Sequence, residues 1–314
     1  MFPKSALEAV KGLDLTGKVF LVTGAYSGLG AASTKALLSA NARVILAGRN
    51  AETQAKFVDD LCKSSSIDPS LMDSSATVEL GDLASVRDFA LHVRSKYDTI
   101  DCLMNNAGIM NTPYEVTKDG FEIQFGTNVI GHFLLAKLLA DRTKRQVWLS
   151  SRGHAIHNTS PPPKFDNEQA PPIDLDMITN VDKDSYDGWR RYQQSKLGDL
   201  LLAKQFAVEY KDTNMEAVSI SPGLVATNLF RSMPLLLTQA FLLIGKLTGG
   251  GAATPDEGAR TQVLCATMSS NEIVNGAYYH DCQVTEPATV AKDMEQAKKL
   301  YDYCDEVTKE FQQV

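Results

Sequence analysis

The chain is short of several things, and each shortage narrows what it can be. Its five cysteines, Cys62, Cys102, Cys265, Cys282 and Cys304, are scattered, odd in number and never spaced C-x-x-C. That pattern argues against a disulfide framework and reads as free thiols in a reducing compartment. His154 and His157 have no cysteine near them, so no metal site is expected. Positive charge is also in deficit: 31 Lys and Arg against 38 Asp and Glu give a net charge of −7. A nucleic-acid partner, which needs a basic face, is therefore not expected. The most apolar window, residues 233–247, is shorter than the roughly 20 residues a membrane-spanning helix requires. Gln239 and Lys246 interrupt it. Met1–Leu15 carries mixed charge without a continuous apolar stretch, so it does not read as a secretory signal. Neither an internal repeat nor a domain linker stands out. The expectation is a soluble, cytoplasmic protein, with peripheral membrane contact as one use of residues 233–247.

What is present is regular. A length of 314 residues with 44% hydrophobic content suits one α/β domain. Short apolar runs at Val19–Val22, Val44–Ala47, Ala76–Leu80, Ile100–Met104, Gln146–Leu149, Ala217–Ile220 and Gly276–Tyr279 read as strands. Helical patterns lie between them, at Ala31–Ser39, Glu52–Leu61, Ser85–Tyr97, Phe121–Ala140 and Tyr192–Tyr210. This alternation predicts a single Rossmann-type, doubly wound parallel sheet of about seven strands with helices on both faces. Two segments break the rhythm. Thr159–Pro172 carries five prolines and reads as a loop that cannot join the sheet, within an insertion near 155–190. Residues 229–253 are apolar and end in Gly249-Gly250-Gly251, a run that suits a hinge; the apolar clusters fit a substrate lid, core packing or an oligomer contact equally.

The glycine turn between the first strand and first helix is Thr23-Gly24-Ala25-Tyr26-Ser27-Gly28-Leu29-Gly30. Glycines there permit a tight turn and close backbone approach to a phosphate, and the helix start adds N–H groups and a positive dipole end. Far downstream, Tyr192 and Lys196 stand four residues apart, which places a phenol and an ammonium on one helical face. A phenol with a reference pKa of about 10 donates poorly at neutral pH, and an ammonium nearby lowers that value. Ser150 and Ser151 close the fifth strand, at the carboxyl edge where α/β sites lie. A second Tyr-x-x-x-Lys, Tyr114 and Lys118, follows Pro113 in a loop-like stretch and reads as surface.

The G-x-x-x-G-x-G spacing, together with Asn105-Asn106-Ala107-Gly108, Asn128, Ser151, Tyr192/Lys196 and Pro222-Gly223, resembles the classical short-chain dehydrogenase/reductase family over about residues 16–285. The 41-residue interval from Ser151 to Tyr192 and the run Tyr192-Gln193-Gln194-Ser195-Lys196-Leu197 resemble its retinol-dehydrogenase-like and WW-domain-oxidoreductase-like subgroup. The resemblance implies catalytic roles for four residues. Ser151 holds the substrate oxygen, Tyr192 exchanges its proton, Lys196 lowers the phenol pKa and orients the ribose, and Asn128 holds a water beside the lysine. Ser150 is the alternative to Ser151 if the register slips by one. It also implies a cofactor site of Gly24, Tyr26, Ser27, Gly28, Leu29, Gly30, Arg49, Asp82, Leu83, Asn106, Ala107, Gly108, Tyr192, Lys196, Pro222, Gly223, Val225 and Thr227.

After the second strand the chain has Gly48-Arg49-Asn50, with glycine where an NAD-type carboxylate would stand. Arg49 can pair with a 2′-phosphate, so NADP(H) is favoured over NAD(H). The family's second basic position, in the glycine turn, holds Tyr26. Bland alternatives accompany several residues: a solvated charge for Arg49, helix caps for Asp82 and Thr227, a structural turn for Asn105–Gly108. A surface loop is the expected place of His154 and His157. The expected function is hydride transfer between nicotinamide and an apolar carbonyl or alcohol. The alternatives are a non-catalytic cofactor-binding regulator and a sugar-nucleotide epimerase, the latter against the glycine spacing. Homodimers or homotetramers through the 121–140 and 192–210 helices are also implied.

Overall fold

The computed structural model describes residues 2–65, 67–158, 164–165, 170–180, 182–225 and 253–313, with side chains omitted at 157–158 and 164–165. The expected lid at 229–253, the 233–247 window and Thr227 lie outside the described residues, apart from Ala253.

Strands β1 (Val19–Thr23), β2 (Arg43–Ala47), β3 (Met72–Asp73), β4 (Cys102–Asn105), β5 (Arg145–Leu149), β8 (Glu216–Ser221), β9 (Tyr278–His280) and β10 (Gln283–Val284) form one sheet. Its order is β10-β9-β8-β5-β4-β1-β2-β3, parallel throughout except for the β9–β10 hairpin. The sheet therefore has eight strands rather than about seven. A separate antiparallel pair joins β6 (Ile156–Asn158) to β7 (Lys164–Phe165). Within the proline-rich segment, the described residues Lys164 and Phe165 are strand rather than loop and pair with β6 outside the main sheet.

The apolar runs form strands because both sheet faces are covered, so their residues need not alternate with polar ones. Leu21 and Leu103 pack into one layer with helices α4 (Leu83–Lys96), α6 (Gly131–Leu138), α8 (Gly188–Glu209) and α10 (Met294–Thr308). Phe20, Val22, Met104 and Val147 face the other layer, with α2 (Gly28–Ser39) and α9 (Pro255–Thr267). Helix α3 (Ala51–Ser64) flanks this second layer through Leu61.

One expected strand fails. Ala76–Leu80 is not a strand. The pairs Val44↔Met72 and Ile45↔Asp73 fill the edge beside β2, and Val78 donates to the Gly48 carbonyl at 2.9 Å from an irregular segment. Its apolar residues mark burial, since Val78 and Leu80 are core side chains, and not membership of a ladder. The expected 121–140 helix forms as one continuous run, with a π-helical turn, Gly126–Ile130, between α5 (Ile123–Phe125) and α6. Such turns are rare and concentrate at functional sites. This one carries Asn128.

Candidate active site

The glycine turn leaves β1 where parallel strands β1 and β4 diverge from their helices, at the carboxyl edge of the sheet. Gly24 has φ +66° and donates its N–H to the Ala47 carbonyl at 2.7 Å. A Cβ on Gly30 would run into the Gly24 carbonyl and the Asn106 amide, so only glycine lets helix α2 start this close to the turn. The helix start is unusual in one further respect. Asn50, Asp82, Asp187, Thr254 and Asp293 each cap their helices with a side-chain oxygen, whereas Ser27 makes no capping bond to α2 and no acid stands in its first turn. An uncapped helix start beside a glycine turn suits a phosphate.

The neighbouring loops hold this cradle. Thr23 Oγ1 accepts from the N–H groups of Asn106 and Ala107, both at 2.9 Å, and lies 2.8 Å from His132 Nε2. Asn106 donates to the Thr23 carbonyl at 2.6 Å and accepts from Gln262 at 3.2 Å. Gln262 also donates to Ser33 on α2 at 2.6 Å, which ties α9 to the cradle. Val225 and Leu29 both close over Gly258 on that same helix. Pro222 leads into Gly223, at φ +78°. A Cβ on Gly108 would touch Asn128 and the Lys196 ammonium.

Beyond β2, the Tyr26 ring lies against Gly48, and its hydroxyl accepts from the Asn50 N–H at 3.0 Å. With Tyr26 there, position 48 has no room for a carboxylate side chain. Arg49 is 62% exposed and pairs with Glu79 at 3.5 Å. Asp82 takes the capping role that sequence offered as its alternative: it accepts from Ala84 and Ser85 and pairs with Lys118 at 2.7 Å. The Leu83 N–H donates to Asp119 at 2.9 Å.

The catalytic candidates converge. Ser151 follows β5 and accepts from the Gly153 N–H at 3.0 Å, and its hydroxyl pulls the Tyr192 phenol down. Ser150, the alternative, donates to the Lys196 carbonyl at 2.6 Å and is buried, so the register favours Ser151. Lys196 Nζ lies 5.8 Å from the centroid of the Tyr192 ring and donates to the Leu149 carbonyl at 2.8 Å. Met110 packs on Tyr192, with Trp189 and Leu224 half-buried beside them, so the phenol has an apolar wall. Asn128 donates to the Ile109 carbonyl at 3.0 Å and to Ser195 Oγ at 2.9 Å, and accepts from the Ile109 N–H at 2.9 Å. Its side chain clamps the loop after β4 to α8. The Asn128 backbone carbonyl meets His132 Nδ1 at 2.8 Å.

Burial pushes the Tyr192 phenol up; the Lys196 ammonium and Ser151 hydroxyl pull it back, and the net direction is up. Lowering by the ammonium alone, the sequence expectation, is thus only part of the balance. Burial works against the Lys196 charge, but Asp199 at 2.9 Å and Tyr192 together outweigh it and hold the lysine above its ordinary value. Burial drives the His132 imidazole down to about 4, so it is neutral here.

Sequence reasoning missed Asp199, His132, Gln262 and the true place of His154. That histidine is buried, not on a surface loop. It sits 2.6 Å from the Ser151 carbonyl through Nδ1 and accepts from the Ala288 N–H at 3.1 Å through Nε2. The His157 side chain is not described.

A glycine turn beside a buried phenol and ammonium, at the carboxyl edge of a parallel sheet, is the arrangement of dinucleotide-dependent α/β oxidoreductases. The family described as short chain dehydrogenase matches residues 18–160. Retinol dehydrogenase 14 of Mus musculus is 34% identical over 295 residues, covering 91% of this chain and 84% of its own length. Retinol dehydrogenase 11 of Mus musculus is 32% identical over 304 residues, covering 93% and 87%. A solved structure, an uncharacterized protein from Mycobacterium Paratuberculosis, superposes with a TM-score of 0.73 at 27% identity over 96% of this chain and 97% of that one. The chain belongs to the short-chain dehydrogenase/reductase family, in its retinol-dehydrogenase-like subgroup. Members of this family are oxidoreductases that bind a nicotinamide cofactor. Among the described residues no helix is long and apolar enough to cross a membrane.

Proposed function

We propose that the protein is an NADP(H)-dependent oxidoreductase that interconverts an apolar carbonyl compound and its alcohol, with Tyr192 as general acid and base. The observation that carries this reading is half-buried Ser151 beside the buried Tyr192 and Lys196 at the carboxyl edge, next to an uncapped helix start. The nicotinamide, when bound, supplies or takes the hydride. Ser151 orients the substrate oxygen toward the phenol. Tyr192 donates the proton that this oxygen needs on reduction and removes it on oxidation, a role that contributes about 10²- to 10⁴-fold in rate. Lys196 holds positive charge behind the phenol. Asn128 fixes the loop after β4, where Gly108 leaves open the space beside the lysine.

The apolar wall of Met110, Trp189 and Leu224 supports an apolar substrate, as do the names of the retinol dehydrogenase relatives. Arg49 at the end of β2, with Gly48 beneath Tyr26, supports the 2′-phosphate form of the cofactor. The test is consumption of NADPH and of NADH with a panel of apolar aldehydes and ketones, followed by nicotinamide absorbance. NADPH turnover is expected to exceed NADH turnover, and Arg49→Ala to narrow that preference by about tenfold or more. Tight NADPH binding without turnover on any panel member would replace this reading with that of a cofactor-binding regulator.

A further inference from the structure

We propose that Asp199 is a positioning residue of this site: the buried counter-ion that holds the Lys196 ammonium in place and offsets its field at the Tyr192 phenol. The inference rests on the reading of Tyr192 as the proton donor. Tyr192, Lys196 and Asp199 fall at i, i+4 and i+7 of α8, so one helical face presents all three. The Lys196–Asp199 pair measures 2.9 Å, and the two side chains are 5% and 3% exposed. The ammonium is thus fixed from two sides, by Asp199 and by the Leu149 carbonyl at 2.8 Å.

The second observation is an imbalance. Asp199 Oδ2 accepts from Lys196, but Asp199 Oδ1 is buried with no hydrogen-bond partner. A carboxylate kept only for stability would have both oxygens bonded, because a half-satisfied buried charge is costly. The one strong contact of Asp199 is with the cation that acts on the phenol. An ammonium alone favours phenolate; a carboxylate behind it cancels part of that field. The site therefore rests with its phenol protonated, the form that delivers a proton to a carbonyl oxygen.

Few other charges act on this arrangement. From the helix after the π turn comes His132, which burial keeps neutral at neutral pH. The turn after β5 presents Arg152 and His154, the latter also pushed down by burial. From α8 itself come Lys196 and Tyr192. Burial pushes the Asp199 carboxyl up to about 6 and the ammonium pulls against that, so the group is ionised at neutral pH.

The test is the pH profile of alcohol oxidation, whose acidic limb reads formation of the phenolate. In Asp199→Asn this limb is expected about one unit or more lower than in the native enzyme, and in Asp199→Glu it is expected back near the native position. A limb that stays in place while turnover falls would mean a purely structural role. A limb that moves upward would mean that Asp199 acts only by keeping Lys196 charged. Either overturns the proposal. If Asp199→Asn does not fold, the native protein still decides. Difference absorbance of tyrosinate between it and Tyr192→Phe reads the Tyr192 titration without turnover. A midpoint at or above about 10 is expected, and one well below refutes the offset. Undiminished turnover in Tyr192→Phe would instead sink the general-acid reading itself, a separate result.

Discussion

The chain carries the same five-residue pattern twice, and the two copies have opposite fates. Tyr114 and Lys118 lie in an irregular stretch. Tyr114 meets Tyr186 edge-on at 5.8 Å, and Lys118 reaches Asp82 at 2.7 Å with side chains 68% and 21% exposed. Tyr192 and Lys196 lie on one face of α8, and Lys196 meets Asp199 at nearly the same distance, 2.9 Å, with both side chains buried. Each lysine thus has an aspartate. What separates the copies is the helix that aligns tyrosine with lysine, and the lack of water that leaves the field between them unscreened. Spacing alone carries no chemistry.

The largest way to break this contrast is at the phenols. Tyr192→Phe is expected to lose about 10²- to 10⁴-fold in turnover while cofactor binding persists. Tyr114→Phe is expected to retain native turnover. Steady-state rates with NADPH and cofactor fluorescence titrations check both. Equal losses in the two variants would remove the distinction between the copies.

The next largest effect concerns the lysines. Lys196→Met leaves the Asp199 carboxyl buried without its cation, a change that costs about 3–5 kcal/mol. The pH dependence follows from the direction of the Asp199 shift. Its folded value is already raised to about 6 against 3.8, so stability present below the lower value is lost as pH rises through the upper one. Removing the ammonium raises the folded value further. The stability gap between the native protein and Lys196→Met should therefore widen from pH 5 to pH 8 (urea melts at each pH would show it). A gap that is flat across that range would mean that Asp199 is not charged in the fold.

The same contrast explains which parts of the site were legible in the sequence. The glycine turn, Ser151 and the Tyr192/Lys196 pair are local: each function depends on residues within a few positions, at the end of a strand or on one helical turn. Asp199 was within reach too, since i+3 from Lys196 is the same face, but an acid in a helix reads first as a solvated charge. His132 stands four residues after Asn128 in an apolar run and could have been found in the same way. Gln262 could not, because Asn106 and Ser33, which it meets in the fold, lie 156 and 229 residues away in the chain. His154 looked exposed because nothing local says that Ala288 will cover it. The irregular Ala76–Leu80 failed for a related reason: burial and strand pairing produce the same apolar signal, and only the register of β3 against β2 separates them.

The smallest effect is expected at the exposed pair, and it sharpens the contrast most directly. Lys118→Met removes a cation from Asp82, as Lys196→Met does from Asp199, yet the aspartates are left in different positions. Asp82 keeps the Ala84 and Ser85 N–H groups that it caps and remains open to water, whereas Asp199 keeps nothing. Lys118→Met should therefore lower the melting temperature by only about 1 °C, and that difference should vanish in about 1 M salt, where exposed charges are screened. A large, salt-insensitive loss at Lys118 would show that the surface pair is held as tightly as the buried one. Burial would then no longer be the variable that separates the proposed catalytic pair from its identically spaced copy.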